Sequence, residues 1–107
     1  MAQTPEEPLF VASGFARTGR SWLFSSGPHW AKLRLFSDRV EIGTGFGKAA
    51  LPLADIEAVH VARSLLGTSF RFEHATRTRV YLRFSTWRGD PVVAALTRHQ
   101  VPLIFTR

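Results

Sequence analysis

The side chains in this chain that are best suited to chemistry are those that can bind an anion. Four of them alternate with apolar residues in two neighbouring segments, which places them on one face if both segments are strands: Arg71, Arg79, Tyr81 and Arg83. Guanidinium groups form bidentate hydrogen bonds with phosphate and carboxylate groups, so three of them around an aromatic ring can hold a phosphate or an acidic peptide. The alternative is a solvated sheet face on which Glu73 neutralises one arginine, which an antiparallel sheet favours by default.

No set of residues predicts catalysis or a bound metal. The histidines are far apart and have neither a His-x-His nor a His-Glu-x-x-His spacing: His29, His60, His74 and His99. The glycine-rich segment 43–48 lacks the Ser or Thr and the helix that a phosphate-binding loop requires, and no serine has the pattern of a nucleophile elbow. We therefore predict a non-enzymatic protein with no catalytic residue, no metal and no small-molecule cofactor.

Two groups of apolar residues are candidates for contact with a partner. Leu65 and Leu66 could form an exposed apolar tip, or Leu65 could continue an inward-facing row with Leu66 covering one end of the sheet, and we favour the second arrangement. Trp30 lies on the outward face of its strand with Lys32 and Arg34. It could anchor a partner, contribute to a hydrophobic patch in a dimer, or pack against a first strand expected at 22–24, and packing is favoured.

Composition narrows the class of protein. The 107 residues are 45% hydrophobic and 12% aromatic, so a single domain with a buried core is expected. There is no cysteine, the acidic segment 1–8 has none of the features of a secretory leader, and no apolar run approaches the roughly 20 residues that cross a bilayer. These features predict a cytoplasmic protein.

The charge balance is strongly basic. The net charge is +6, and arginine is far commoner than lysine. Such a balance indicates an anionic partner, whether nucleic acid, acidic lipid headgroups or an acidic protein face. It can also reflect a codon composition that favours arginine. The basic residues are spread along the chain without a block of five, which favours the compositional explanation.

Alternation of apolar residues predicts a hairpin around Ser37-Asp38. If Leu35 faces Val40, then Leu33 faces Ile42 on the same side, and the opposite side pairs Arg34 with Glu41. Apolar pairs on one face and an ion pair on the other are typical of a half-buried hairpin.

A second hairpin is predicted from segments 70–73 and 79–84, and charge decides its register. Pairing Phe72 with Leu82 would set Arg71 against Arg83, which is unfavourable. Pairing Phe72 with Val80 instead sets Glu73 against Arg79 and Arg71 against Tyr81. We therefore predict the second register, with a loop over 74–78.

Seven strands and one late helix are expected in total. Besides the two hairpins, strands are predicted at 22–24, 46–51 and 57–63. A helix is predicted over 90–100, with Asp90 as its N-terminal cap and with the apolar Val92, Val93 and Leu96 near one face, which Gln100 extends. The resulting division is an N-terminal extension, partly flexible, over 1–19, a domain over 20–101 and a C-terminal tail over 102–107.

The segment Leu51-Pro52-Leu53-Ala54-Asp55-Ile56-Glu57-Ala58-Val59, followed much later by Gly89-Asp90-Pro91 and a short helix, resembles bacterial pleckstrin-homology-like domains. The resemblance covers residues 20–101 and implies a mostly β fold, a seven-stranded antiparallel barrel capped by one C-terminal helix. Some relatives bind phosphoinositides or peptides. Lys32 and Arg34 have the alternate spacing of the cationic pair in lipid-binding members, but the loop that follows is short and contains an acid.

The resemblance implies a binding or scaffolding module rather than an enzyme. We expect protein–protein or self-association as its mode of action. The alternative is binding of an anionic surface, either acidic lipid headgroups or nucleic acid, through the face that carries Arg71, Arg79 and Arg83.

Overall fold

Alternating apolar and polar residues form the strands of one curled sheet in the computed structural model, which describes residues 7–19, 25–45, 47–65, 67–74 and 81–106. Within these ranges the sheet has eight strands, and one α-helix follows the seventh. The elements are β1 (Phe10–Gly19), β2 (Ser25–Leu35), β3 (Arg39–Thr44), β4 (Gly47–Pro52), β5 (Ile56–Ser64), β6 (Gly67–His74), β7 (Tyr81–Thr86), α1 (Gly89–Arg98) and β8 (Leu103–Thr106), with a short 3₁₀ turn at Leu53–Asp55.

The strand order is β4-β3-β2-β1-β7-β6-β5-β8, so two antiparallel meanders meet where β1 pairs with β7. The sheet curls into a half-barrel around one core, in which the largest fully buried side chains are Phe70 and Phe84. The fold is thus mostly β with one helix, as predicted, but it has eight strands rather than seven. No helix in the described ranges is both long and apolar enough to cross a membrane.

The first strand lies earlier in the chain than the sequence indicated. Residues 10–19, which were expected to belong to an N-terminal extension, form β1 at the centre of the sheet. The strand is rich in small residues, and Gly14 is required there because a Cβ at this position would overlap the carbonyl oxygen of Ser85 on β7. The strand predicted at 22–24 lies outside the described residues.

The end of the chain also belongs to the sheet. Residues 103–106, expected to form a tail, are β8, and β8 pairs with β5 in parallel rather than antiparallel fashion. The Val59 amide donates to the carbonyl of Pro102 (2.8 Å), and the Thr106 hydroxyl donates to the carbonyl of Val61 (3.1 Å). β8 can pair with β5 in parallel because the preceding helix, α1, returns the chain to the end of the sheet at which β5 begins.

The first hairpin has the predicted register. Leu35 pairs with Val40, Leu33 with Ile42 and Arg34 with Glu41, and the four apolar side chains are fully buried or nearly so. The neighbouring ladder continues the charge pattern, since Nζ of Lys48 on β4 lies 3.2 Å from a carboxylate oxygen of Glu41.

The register predicted for the second hairpin is wrong. Arg71 pairs with Arg83, and Phe70 pairs with Phe84. The physical reason is that repulsion between exposed charges is small, about 1 kcal/mol at 4 Å in water, whereas close packing at the other end of the strands determines the register. There Gly89 lies against Thr68, and a Cβ on Gly89 would overlap the Thr68 side chain. The predicted loop over 74–78 lies mostly outside the described residues.

The helix begins one residue earlier than predicted and is capped differently. It starts at Gly89, and Asp90 in its first turn forms an ion pair with Arg63 (2.9 Å) instead of a cap. Val92 and Leu96 are completely buried, as the apolar stripe predicted. Gln100 is exposed and lies beyond the helix, with a left-handed φ of 62° that ends it.

Truncation of the buried helix face is expected to destabilise the fold. Leu96→Ala removes a fully buried side chain and leaves a cavity between α1 and the sheet, so the free energy of unfolding should fall by about 2–5 kcal/mol. Urea unfolding measures the change. The matched control is Thr97→Ala, at the next and exposed position, which should change it by less than about 0.5 kcal/mol. Equal effects of the two variants would contradict the packing of α1 on the sheet.

Candidate functional site

Three arginines form a row across three neighbouring strands on the outer face of the sheet. Arg17 on β1 pairs with Arg83 on β7, and Arg83 pairs with Arg71 on β6. Their side chains point outwards because the residues that alternate with them, such as Ala16 and Phe84, are buried in the core. Adjacent strands are about 4.8 Å apart, so this arginine row brings three guanidinium groups within reach of one ligand.

The row contains two of the four predicted binding residues and one that the sequence did not indicate. Arg71 and Arg83 are brought together directly. Arg79 lies outside the described residues, and Tyr81 is described only through its backbone, which pairs with Gly19. The sequence did not indicate Arg17, because the small residues around it, such as Gly14 and Ala16, give little of the hydrophobic contrast that marks a strand.

One end of the row is bounded by a hydrogen-bonded histidine and glutamate. His60 on β5 pairs with Arg71 across the sheet, and its Nε2 lies 2.7 Å from a carboxylate oxygen of Glu73. The hydrogen bond with His60 lowers the pKa of Glu73; desolvation opposes this effect, and the electrostatic interactions with His60 and Arg71 add to it. Glu73 is therefore engaged mainly by His60, which differs from the sequence expectation that it faces Arg79.

An aromatic cluster adjoins the arginine row. The ring of Phe15 contacts Trp30 edge-to-face at 5.3 Å and Trp87 at 5.4 Å between ring centroids. Trp30 thus contacts Phe15 on β1, whereas the predicted contact with a strand at 22–24 lies outside the described residues; 55% of its surface is exposed, and 63% of Trp87 is exposed. A hollow of about 240 Å³ joins this cluster to the row, since it is lined by Phe15, Arg17, Arg83 and Ser85 among others.

A second basic group lies on the other side of Trp30. Lys32 and Arg34 on β2 and Lys48 on β4 line a hollow of about 480 Å³ together with Trp30 and the glycines of the β3–β4 turn. Absence of side chains at the glycines opens the hollow, and a Cβ on Gly43 would lie 3.5 Å from the Arg34 guanidinium. The glycine-rich segment that superficially resembled a phosphate loop thus lines a basic hollow between strands.

The predicted apolar tip is partly described. Leu65 stands in the turn between β5 and β6 and is fully exposed, so the favoured expectation that it continues the inward row of Val59 and Val61 is wrong. The inward row ends sooner because the strand turns at Ser64, whose hydroxyl donates to the carbonyl of Gly67 (3.2 Å). Leu66 lies outside the described residues.

Two further observations bear on the chemistry of this surface. Within the described ranges, no three His, Asp or Glu side chains come together in a way that could hold a metal ion. Comparison with known protein families and with curated proteins finds no match to this chain.

Removal of the His60 side chain is expected to raise the pKa of Glu73. The pKa of this carboxyl is lowered in the folded protein, so its ionised form stabilises the fold above its unfolded-state pKa, and this contribution disappears as the pH falls through the folded-state value. In His60→Ala the Glu73 pKa should move back towards the ordinary range of a glutamate, as measured by NMR titration of the carboxyl carbon. His99→Ala, at the end of α1, is the control and should leave it unchanged. An unchanged Glu73 pKa in His60→Ala would show that a group other than His60 lowers it.

Proposed function

We propose that this protein is a non-catalytic binding module that binds an anionic partner through the outer face of its sheet. The observation that supports the proposal is the arginine row, in which Arg17, Arg83 and Arg71 follow one another on three adjacent strands. Arg presents a planar fork of donors that suits phosphate and carboxylate groups, and three such forks side by side can share one polyanion.

The wider face has the same sign of charge. The outward positions of β2 carry Lys32 and Arg34, which form a separate basic group. Among the described outward positions of β1, β2, β6 and β7 the only carboxylate is Glu73, and the neighbouring strand β3 adds Glu41 opposite Arg34. That carboxylate already accepts a hydrogen bond from His60. A face on which cations outnumber carboxylates raises the local concentration of an anionic ligand and speeds its association.

The pairing of Arg71 with Arg83 creates a position that a bound anion would stabilise. Like charges placed directly opposite one another on a sheet destabilise it slightly, and here the pairing follows from the packing of the core beneath. A bound anion would convert this repulsion into two charge-assisted hydrogen bonds, so the free energy of the pair improves only when the partner is present.

For the fold, we propose a pleckstrin-homology-like domain with one added strand. Its support is the run of seven antiparallel strands, β1–β7, followed directly by a helix that covers the core. In this proposal β8 is an addition at the edge beyond β5. A cytoplasmic binding or scaffolding role accompanies the proposed fold.

Self-association is the second candidate function, and one observation favours it. The strand β8 is at an edge of the sheet and exposes Ile104 and Phe105, so a second copy could pair with its free backbone groups. Sedimentation measurements test this candidate. A dimer that is stable in high salt and is dissociated by Ile104→Glu would support it, and a monomer at all concentrations would remove it.

The double substitution Arg71→Ala/Arg83→Ala is expected to weaken binding to heparin, a model polyanion, by at least about tenfold. Each hydrogen bond to a charged group contributes about 1.5–3 kcal/mol, and two are lost. Calorimetry measures the affinity, and the wild-type affinity should fall steeply as salt is added. The control is Arg88→Ala/Arg98→Ala, which removes the same charge at the two ends of α1 and should have a much smaller effect. Equal losses in the two double variants would indicate an effect of net charge alone and would contradict a site on the sheet.

A further inference from the structure

We infer that the anionic partner is single-stranded nucleic acid, bound with its bases against the exposed tryptophans and its phosphates against the flanking cations. This inference rests on the proposed function, because it assigns a ligand class to the same outer face. It is carried by the position of the aromatic cluster (Trp30, Phe15 and Trp87) between two separate basic groups.

The layout follows from the strand registers. Phe15 on β1 is opposite Trp30 on β2 and Ser85 on β7. Two residues further along β1 the outward position is Arg17, which begins the arginine row on one side of the cluster. In the other direction the outward positions opposite β1 are Lys32 and Arg34 on β2. A strand crossing this face therefore meets cations, then exposed rings, then cations again.

The exposure of the tryptophan rings suits stacking of bases. Phe15 fills the space between the two indoles, and its edge-to-face contacts hold both rings while leaving more than half of each tryptophan exposed. Exposed aromatic rings on a positively charged sheet face are the features with which proteins bind single strands, because every unstacked base offers a π-face and every nucleotide a phosphate.

Other anionic ligands would contact the cations of this face but not the exposed rings. In a duplex the bases are stacked on one another, so Trp30 and Trp87 could not stack on them. A headgroup layer or an acidic peptide would neutralise the arginine row but would offer no planar rings to the cluster. The hollow beside Trp30 is lined by Lys32, Arg34 and Lys48, the last of which also forms an ion pair with Glu41 (3.2 Å). It is placed to receive a phosphate next to a base stacked on Trp30.

The experiment uses the full chain and a fluorescently labelled oligothymidylate of about 16 nucleotides, the upper end of known site sizes for single-strand-binding folds. Fluorescence anisotropy gives the affinity. Trp30→Ala should weaken binding at least about fivefold, since stacking of one base contributes about 1–3 kcal/mol. Trp30→Phe keeps a ring at this position and should restore most of the affinity. The matched control is Phe105→Ala, which removes an equally exposed aromatic ring on the edge strand and should leave the affinity unchanged.

The outcomes separate this inference from the proposed function. Binding of heparin that depends on Arg71 and Arg83, without binding of the oligonucleotide, would overturn the inference and leave the proposed function standing. The same conclusion would follow if a DNA duplex of the same length bound with equal affinity and Trp30→Ala had no effect. Binding to vesicles of phosphatidylserine but not to the oligonucleotide would also overturn it. If the wild-type protein bound neither heparin nor any other polyanion, both the inference and the proposed function would be wrong. Circular dichroism of each variant shows that a loss of affinity does not come from unfolding.

Discussion

The pairing of β1 with β7 is the contact on which the sheet and its outer face both depend. It joins the two meanders into one sheet, and it requires Gly14, because any Cβ there would overlap the backbone of β7. The same pairing sets Arg17 beside Arg83 and brings Phe15 within contact of Trp87. Both the arginine row and the aromatic cluster therefore arise from one backbone ladder, and neither exists in either meander alone.

Core packing also determines the most unusual feature of the surface, the apposition of Arg71 and Arg83. Exposed charges interact weakly in water, so their repulsion cannot compete with burial of aromatic side chains such as Phe70 and Phe84, each of which contributes roughly 1.5–3 kcal/mol. Burial of apolar side chains on the inner face of the sheet therefore keeps the two arginines side by side on the outer face. Structure and proposed binding surface are coupled through the alternation of side chains along β6 and β7.

The sequence predicted correctly those parts of the fold in which large apolar residues recur at the spacing of a strand or a helix. The first hairpin and the buried stripe of α1 have this signal, and both were predicted from it. The strand β1 lacks it, since small residues such as Gly14 alternate with little hydrophobic contrast, and β8 is short and follows a helix end. Within the site, Arg71 and Arg83 were predicted, but Arg17 and the contact of Phe15 with Trp87 depend on pairing between distant segments, which no local pattern reveals.

The same long-range pairing has a consequence for how the chain acquires its structure. Ser13 accepts a hydrogen bond from Thr86, 73 residues away, whereas the ladders within each meander join near neighbours in sequence. The first meander can therefore assemble during synthesis, while the second edge of β1 remains open until β7 has left the ribosome. Topologies dominated by distant contacts fold slowly, and an open edge strand is prone to pairing with other chains. Nascent copies of this protein are expected to be most vulnerable to aggregation in that interval, before the last quarter of the chain is synthesised and β7 covers the edge of β1.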